Sequence, residues 1–291
     1  MTIKNILDSK KVTLSFEVFP PKKQDAFDSV ANASRELSSL EPDFMSITYG
    51  AGGSGGHSTV DIAKVIMDSN VPALAHLTCV GNTMDSIQNV IKEMKSAGIE
   101  NVLALRGDIP NGVEISMDER LYHASDLVSI LKKEGFCVGG ACYPEGHTES
   151  KNRQDDLENM KFKVDAGVDF LTTQMFFDND MLYSYLYRLQ SIGIRVPVLA
   201  GIMPITTASQ VNRMIKLSGA YIPSRLLSLC DRFSDKPLAM YQAGIDFAVS
   251  QIVDLISNGV RGIHIYTMNK PQVARDILKN TGDIIKAVNS D

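Results

Sequence analysis

Glu17 stands inside Phe16-Glu17-Val18-Phe19, with apolar side chains on either side. Such surroundings disfavour the charged carboxylate, so its pKa is expected above the usual range, which would make it a usable acid near neutral pH. The plain alternative is a buried structural carboxylate paired with an arginine. Further polar residues recur at the ends of short apolar runs. They are Thr48 and Tyr49, His76 and Thr78, Arg106-Gly107-Asp108, Tyr143-Pro144-Glu145, Thr172 to Gln174, and Tyr266-Thr267. Singly, each means little. His76 could be a satisfied core histidine. Arg106 and Asp108, two apart on an extended chain, share a face and could simply pair. The turn GAGGSGGH after Tyr49 lacks the Lys-Ser/Thr that completes a phosphate loop. Together these ends predict one polar pocket.

The elements that must carry them are eight apolar runs: 12–19, 44–50, 72–80, 101–108, 136–144, 169–177, 196–204 and 261–269. Most begin about 30 residues apart, the size of one strand plus one helix. Between them lie amphipathic patterns. The clearest is 83–100, where Ile87, Val90, Ile91 and Met94 fall on one face and Gly98 marks the end. Strands apolar on both faces, alternating with helices, require a helix-covered parallel sheet. Eight such units predict a single-domain (β/α)8 TIM barrel over 1–291, rather than an open sheet, and no GxGxxG follows the first strand. The last crossover, Pro204 to Val260, is long enough for extra helices, two clear and a third in SRLLSLCDRFS. Barrel enzymes use the C-terminal strand ends, where the polar residues cluster.

Composition narrows the partners. A formal charge of −5 without a Lys/Arg-rich block argues against nucleic acid or an anionic membrane as partner. No apolar run is long enough to cross a membrane, and MTIKNILDSKKV is no signal peptide, so a cytoplasmic location is expected. The cysteines, Cys79, Cys137, Cys142 and Cys230, read as buried free thiols. Without CxxC or HExxH, no metal site is expected.

The motifs FEVFPPK (16–22), SITYGAGG (46–53), HLTC (76–79), LALRGDIP (103–110), ACYPEGH (141–147), KVDAGVDFLTTQMFFD (163–178), GIMPI (201–205) and HIYTMN (264–269) resemble the methylenetetrahydrofolate reductase family, in order and along nearly the whole chain. The resemblance implies non-covalent FAD at the barrel mouth and a ping-pong cycle. NADH or NADPH gives hydride to flavin N5 and leaves. 5,10-Methylenetetrahydrofolate then takes its place and becomes 5-methyltetrahydrofolate. The chain ends soon after the eighth unit, as in a stand-alone reductase without the allosteric domain of longer eukaryotic members. A homo-oligomer is expected; an accessory iron–sulfur or flavin subunit as electron source is left open.

By the same resemblance, Glu17 is the general acid for opening the folate's five-membered ring. Asp108 tunes the flavin and binds the pterin. Thr48, Gln174, Gln210 and Lys270 face substrate. Tyr49, Ala51, His76, Arg106, Gly107, Ala124 and Tyr143 form the flavin and ribityl wall. His147, Ser150, Asp156, Asn159 and Lys163 hold the FAD tail. The chain departs from the family at Met214, where an aromatic is common, at His123, where some members have Tyr, and at Lys270, where some have the bidentate Arg. Competing readings are a flavin-dependent imino-acid dehydrogenase of similar barrel type, a pterin-handling methyltransferase without flavin, and a non-catalytic barrel subunit of a redox complex. Glu17, Asp108 and Gln174 are all present, which argues against a decayed site.

Overall fold

A computed structural model describes residues 1–21, 24–50, 55–80, 82–107 and 123–290. Each of the eight apolar runs contains one strand: β1 (Thr13–Val18), β2 (Phe44–Ile47), β3 (Ala73–Thr78), β4 (Asn101–Leu105), β5 (Cys137–Cys142), β6 (Phe170–Thr173), β7 (Val198–Ile202) and β8 (Gly262–Tyr266). All neighbours pair in parallel, and β1 pairs with both β2 and β8, closing the barrel.

Helices cover the outside: α1 (Ile3–Ser9), α2 (Phe27–Ser38), α3 (Gly55–Asp68), α4 (Met84–Ser96), α5 (Ala124–Lys133), α6 (Arg153–Asp165), α7 (Asn179–Ser191), α8 (Ala208–Ser218), α9 (Ser224–Phe233), α10 (Pro237–Ser257) and α11 (Pro271–Ser290). The last crossover carries α8, α9 and α10, the third of which explains its length. On α4, Thr83 caps the start by accepting from the Ser86 N–H, and Ile87, Ile91 and Met94 are buried as their spacing predicts. The outward strand residues, such as Phe16, Ile47 and Val102, join Ile66, Ile91 and Leu131 of the helices in one core. The cysteines are buried and unpaired with one another. No described helix is long and apolar enough to cross a membrane.

Two features depart from the sequence reading. The N-terminal segment forms α1, whose Ile3, Ile6 and Leu7 are buried at helical spacing. Ile3 and Leu7 close the barrel from below, packing with Phe44, Leu74, Leu103, Phe170 and Leu199. The Ile3 N–H donates to Asn101 Oδ1 at 2.8 Å. The second is α6, which lacks the expected apolar stripe. Its buried residues include Asp156 beside Leu157 and Met160, because one flank lines a polar cavity rather than the core.

Candidate active site

Alternation along the strands points Ser15 and Glu17 of β1, Ser46 of β2, His76 of β3 and His264 of β8 into the barrel. Their side chains meet. Glu17 Oε2 lies 3.6 Å from His76 Nε2 and 3.6 Å from His264 Nε2, and accepts from Ser46 Oγ at 3.3 Å. His264 Nδ1 is 2.8 Å from Ser15 Oγ, and its ring stacks on Phe44 at 6.3 Å, so the apolar floor sets the ring's height. Tyr266 edges against that ring and donates to the Thr173 carbonyl at 2.7 Å. Gly201 makes room for it: a Cβ there would lie 2.6 Å from the Tyr266 hydroxyl.

Glu17 is 7% exposed. Burial alone pushes its pKa up. The hydrogen bond from His264, the charges that His76 and His264 can carry, and the Ser46 hydroxyl outweigh this and hold it below the ordinary carboxylate value. This corrects the expectation of a raised pKa. The apolar sequence neighbours, Phe16 and Val18, point out of the barrel, while cross-strand partners decide the charge. Burial drives His76 down to about 4, so it is neutral at pH 7.

The main chain around Glu17 is clamped by the end of β8. Thr267 Oγ1 donates to the Glu17 carbonyl at 2.7 Å. Asn269 accepts from the Phe19 N–H at 2.8 Å and donates to the Phe19 carbonyl at 2.9 Å. Met268 and Asn269 both take left-handed backbone, φ 54° and 56°, to present these groups, a conformation that costs a non-glycine residue free energy.

A second region lies between α5 and α6, a cavity of about 600 Å³ over the ends of β4 and β5. Arg106, Tyr143, His147 and Lys163 line it, with Ala124, Ser150, Asp156 and Asn159. Asp156 shapes its wall: Oδ1 accepts from the His147 N–H at 3.1 Å and from Ser150 Oγ at 3.2 Å. His147 packs edge-on against Tyr143 at 4.6 Å. Lys163 Nζ donates to the Ala141 carbonyl at 2.6 Å, and burial lowers its pKa despite Asp156 nearby. Arg106 is gripped in bidentate fashion by Glu149, at 2.5 and 2.7 Å. Glu149, Asp155 and Asp156 line the cavity as well as the two cations. Arg106, Lys163, Ser150, Asn159 and the Tyr143 and His147 rings are the groups there that could hold an extended dinucleotide such as FAD.

The family model described as methylenetetrahydrofolate reductase matches residues 2–282. This chain belongs to the methylenetetrahydrofolate reductase family. A relative in that family, 5,10-methylenetetrahydrofolate reductase of Escherichia coli (strain K12), is 35% identical over 94% of this chain and 91% of its own length. Methylenetetrahydrofolate reductase (NADH) 1 of Arabidopsis thaliana is 33% identical over 96% of this chain, which spans 50% of that longer protein. A solved structure from Clostridium thermocellum, described as binding two copies of 5-methyl-5,6,7,8-tetrahydrofolic acid, superposes with TM-score 0.66 at 15% identity, covering 99% of this chain and 100% of that one. At that identity it speaks for the fold.

Most of the expected residues fall into these two regions of the barrel. Glu17 and His76 meet inside the mouth, and eight of the expected flavin residues line the one cavity. Thr48 and Gln174 sit at the ends of β2 and β6, half-buried. Tyr49 donates to Asn82 Oδ1 at 3.5 Å, and Gly107 turns β4 at φ 88° against Thr78. Gln210 spends its side-chain oxygen capping α8, accepting from the Thr206 and Thr207 N–H groups at 2.8 and 2.9 Å. Lys270 is exposed where β8 leads into α11. Ala51 and Asp108 lie outside the described residues. Three residues escaped the sequence reading. His264 and Ser46 were legible in principle, since they share a strand face with Tyr266 and Thr48. Glu149, the partner that Arg106 takes, is 43 positions away and gave no local signal.

Proposed function

We propose that the protein reduces 5,10-methylenetetrahydrofolate to 5-methyltetrahydrofolate with NADH or NADPH as donor. FAD, bound along the α5–α6 cavity, supplies the two-electron relay between them. Membership of the family supports the reaction, and the cavity's donor set supports the cofactor. The observation that carries the reading is Glu17, a buried carboxyl between two imidazoles at the mouth of the barrel. Opening the folate's five-membered ring needs a proton on the leaving amine, and a carboxyl at the mouth of the barrel is the group placed to supply one. In the ligand-free protein Glu17 rests below its ordinary pKa. Covering the mouth with the pterin strips away the remaining water, pushes Glu17 upward, and makes the acid form reachable when the substrate is in place. Ser15 and Ser46 hold His264 in register, and Thr267 and Asn269 fix the strand beneath the acid.

The test is a visible spectrum of the purified protein. A yellow protein bleached anaerobically by NADH or NADPH, and restored to yellow by 5,10-methylenetetrahydrofolate, is expected. A protein that no flavin can colour, or a bleached one that the folate leaves bleached, refutes the reading.

A further inference from the structure

Glu145 follows β5 and does not line the cavity between α5 and α6, although Tyr143 and His147 on either side of it do. The Gly146 N–H donates to the Tyr143 carbonyl at 3.0 Å, so 143–146 is a tight turn with Pro144 and Glu145 at its corners. Glu145 Oε2 accepts from the Tyr221 N–H at 2.7 Å, across 76 positions of sequence. Its Oε1 is buried with no hydrogen-bond partner among the described residues, and burial raises its pKa. A hidden carboxylate oxygen without a donor costs stability, so a turn that served the fold alone would do better with an apolar side chain. Tyr221 belongs to the link 219–223 between α8 and α9. Gly219 ends α8 in left-handed backbone, φ 64°. Ala220 and Ile222 are buried in an apolar cluster, while the Tyr221 side chain between them is 49% exposed. That cluster, with Met203, Ile205, Met214 and Leu226, is separate from the barrel core and sits on residues that follow β6 and β7. Apolar packing is non-directional and fixes no register by itself; a hydrogen bond does.

We propose that Glu145 is a positioning residue: it ties the α8–α9 unit to the end of β5 and so sets the width of the mouth between the flavin cavity and α8. The unit stands on its own apolar cluster, and the carboxylate fixes where that cluster sits relative to β5. The consequence for catalysis rests on the functional reading above, whereas the tether itself does not. A substrate that must lie between the two sides of the mouth feels the loss of the tether as weaker binding. The cavity on the β4–β5 side keeps its own walls.

Glu145→Ala, Glu145→Gln and Tyr221→Ala are compared with the parent. Glutamine keeps a carbonyl oxygen for the Tyr221 N–H, and Tyr221→Ala keeps the N–H itself. In the ligand-free protein, hydrogen exchange at the amide of residue 221, followed by NMR, should quicken about tenfold in Glu145→Ala, the worth of one charge-assisted hydrogen bond. It should stay near the parent's rate in the other two. In steady-state assays the KM for 5,10-methylenetetrahydrofolate should rise about tenfold in Glu145→Ala, with kcat and FAD content kept, and Glu145→Gln should restore it. Unchanged exchange in Glu145→Ala overturns the tether. A loss of kcat and FAD alongside KM, or a glutamine variant as impaired as the alanine one, overturns the positioning role. If the parent reduces no folate, the functional reading fails, and the exchange rates alone decide the tether.

Discussion

The two ends of the barrel interior are built on opposite principles. At the bottom, Ile3 and Leu7 of α1 pack on Phe44, Leu74, Leu103, Phe170 and Leu199, and polar groups there are answered. Asn101 accepts from the Ile3 N–H and donates to the Ala73 carbonyl at 3.2 Å. Higher in the barrel, Ser46, His76 and Thr172 on the same strands, with Glu17 of β1 and His264 of β8, replace the apolar side chains, and the accounting is left open. His76 Nε2 and Thr172 Oγ1 are buried without a hydrogen-bond partner among the described residues. Each such group costs stability. One end of the barrel holds the fold together, and the other keeps polar atoms in reserve for something that enters the mouth.

The sharpest way to break this division is Glu17→Gln. The variant should still be reduced by NADH or NADPH at a comparable rate, while transfer to the folate falls by about two to four orders of magnitude, the usual cost of losing a general acid. Stopped-flow measurement of the two half-reactions decides it. Equal slowing of both would mean that Glu17 shapes the pocket instead. The complementary change lies at the bottom. Phe170→Ala empties a fully buried site and should lower stability by about 3–5 kcal/mol in urea titrations. Both half-reactions should proceed normally in whatever protein stays folded; a chemical defect there would show the floor to be part of the site.

The pH dependence tests the mouth directly. His76 is held neutral down to about pH 4 in the folded protein, whereas in the unfolded chain it takes a proton near its ordinary 6.5. Below 6.5 the unfolded state therefore binds the extra proton, and stability falls as pH drops from about 6.5 to about 4, by roughly 3 kcal/mol over the window. Glu17, with its folded pKa depressed, acts in the same direction, losing its contribution as pH falls through that lowered value. Urea midpoints between pH 7 and pH 4.5 should show the loss, and His76→Gln should flatten it. An NMR titration midpoint for His76 near 6.5 would remove the basis for this expectation. The smallest effect is a gain. Thr172→Val deletes an unanswered hydroxyl at nearly constant shape and should stabilise the ligand-free protein by about 1 kcal/mol; destabilisation would mean the hydroxyl has a partner.

The bottom and the mouth also differ in how well the sequence announced them. The strands were legible because apolar runs bounded by turn residues have few other solutions, and the residues at their ends located the mouth. The floor was only half legible. Ile3, Ile6 and Leu7 carry a helical signal too short to stand without the barrel they plug. In the mouth, residue identity was visible and electrostatics was not. Phe16 and Val18 suggested an apolar setting for Glu17, but they face the helices, and the groups that set its charge come from β2, β3 and β8. Arg106 is held by Glu149 from the loop after β5, a partner 43 positions away that no local pattern announced.

The clamp of Thr267 and Asn269 on Glu17 and Phe19 joins residues 250 positions apart. Contacts of such separation form late, after the loop entropy between them has been overcome. During synthesis β1 emerges early and must wait for β8 before Glu17 is seated, so this end of the barrel is the last part of it that the nascent chain completes. A ribosome that stops before Thr267 releases a chain with Glu17 but without its seat.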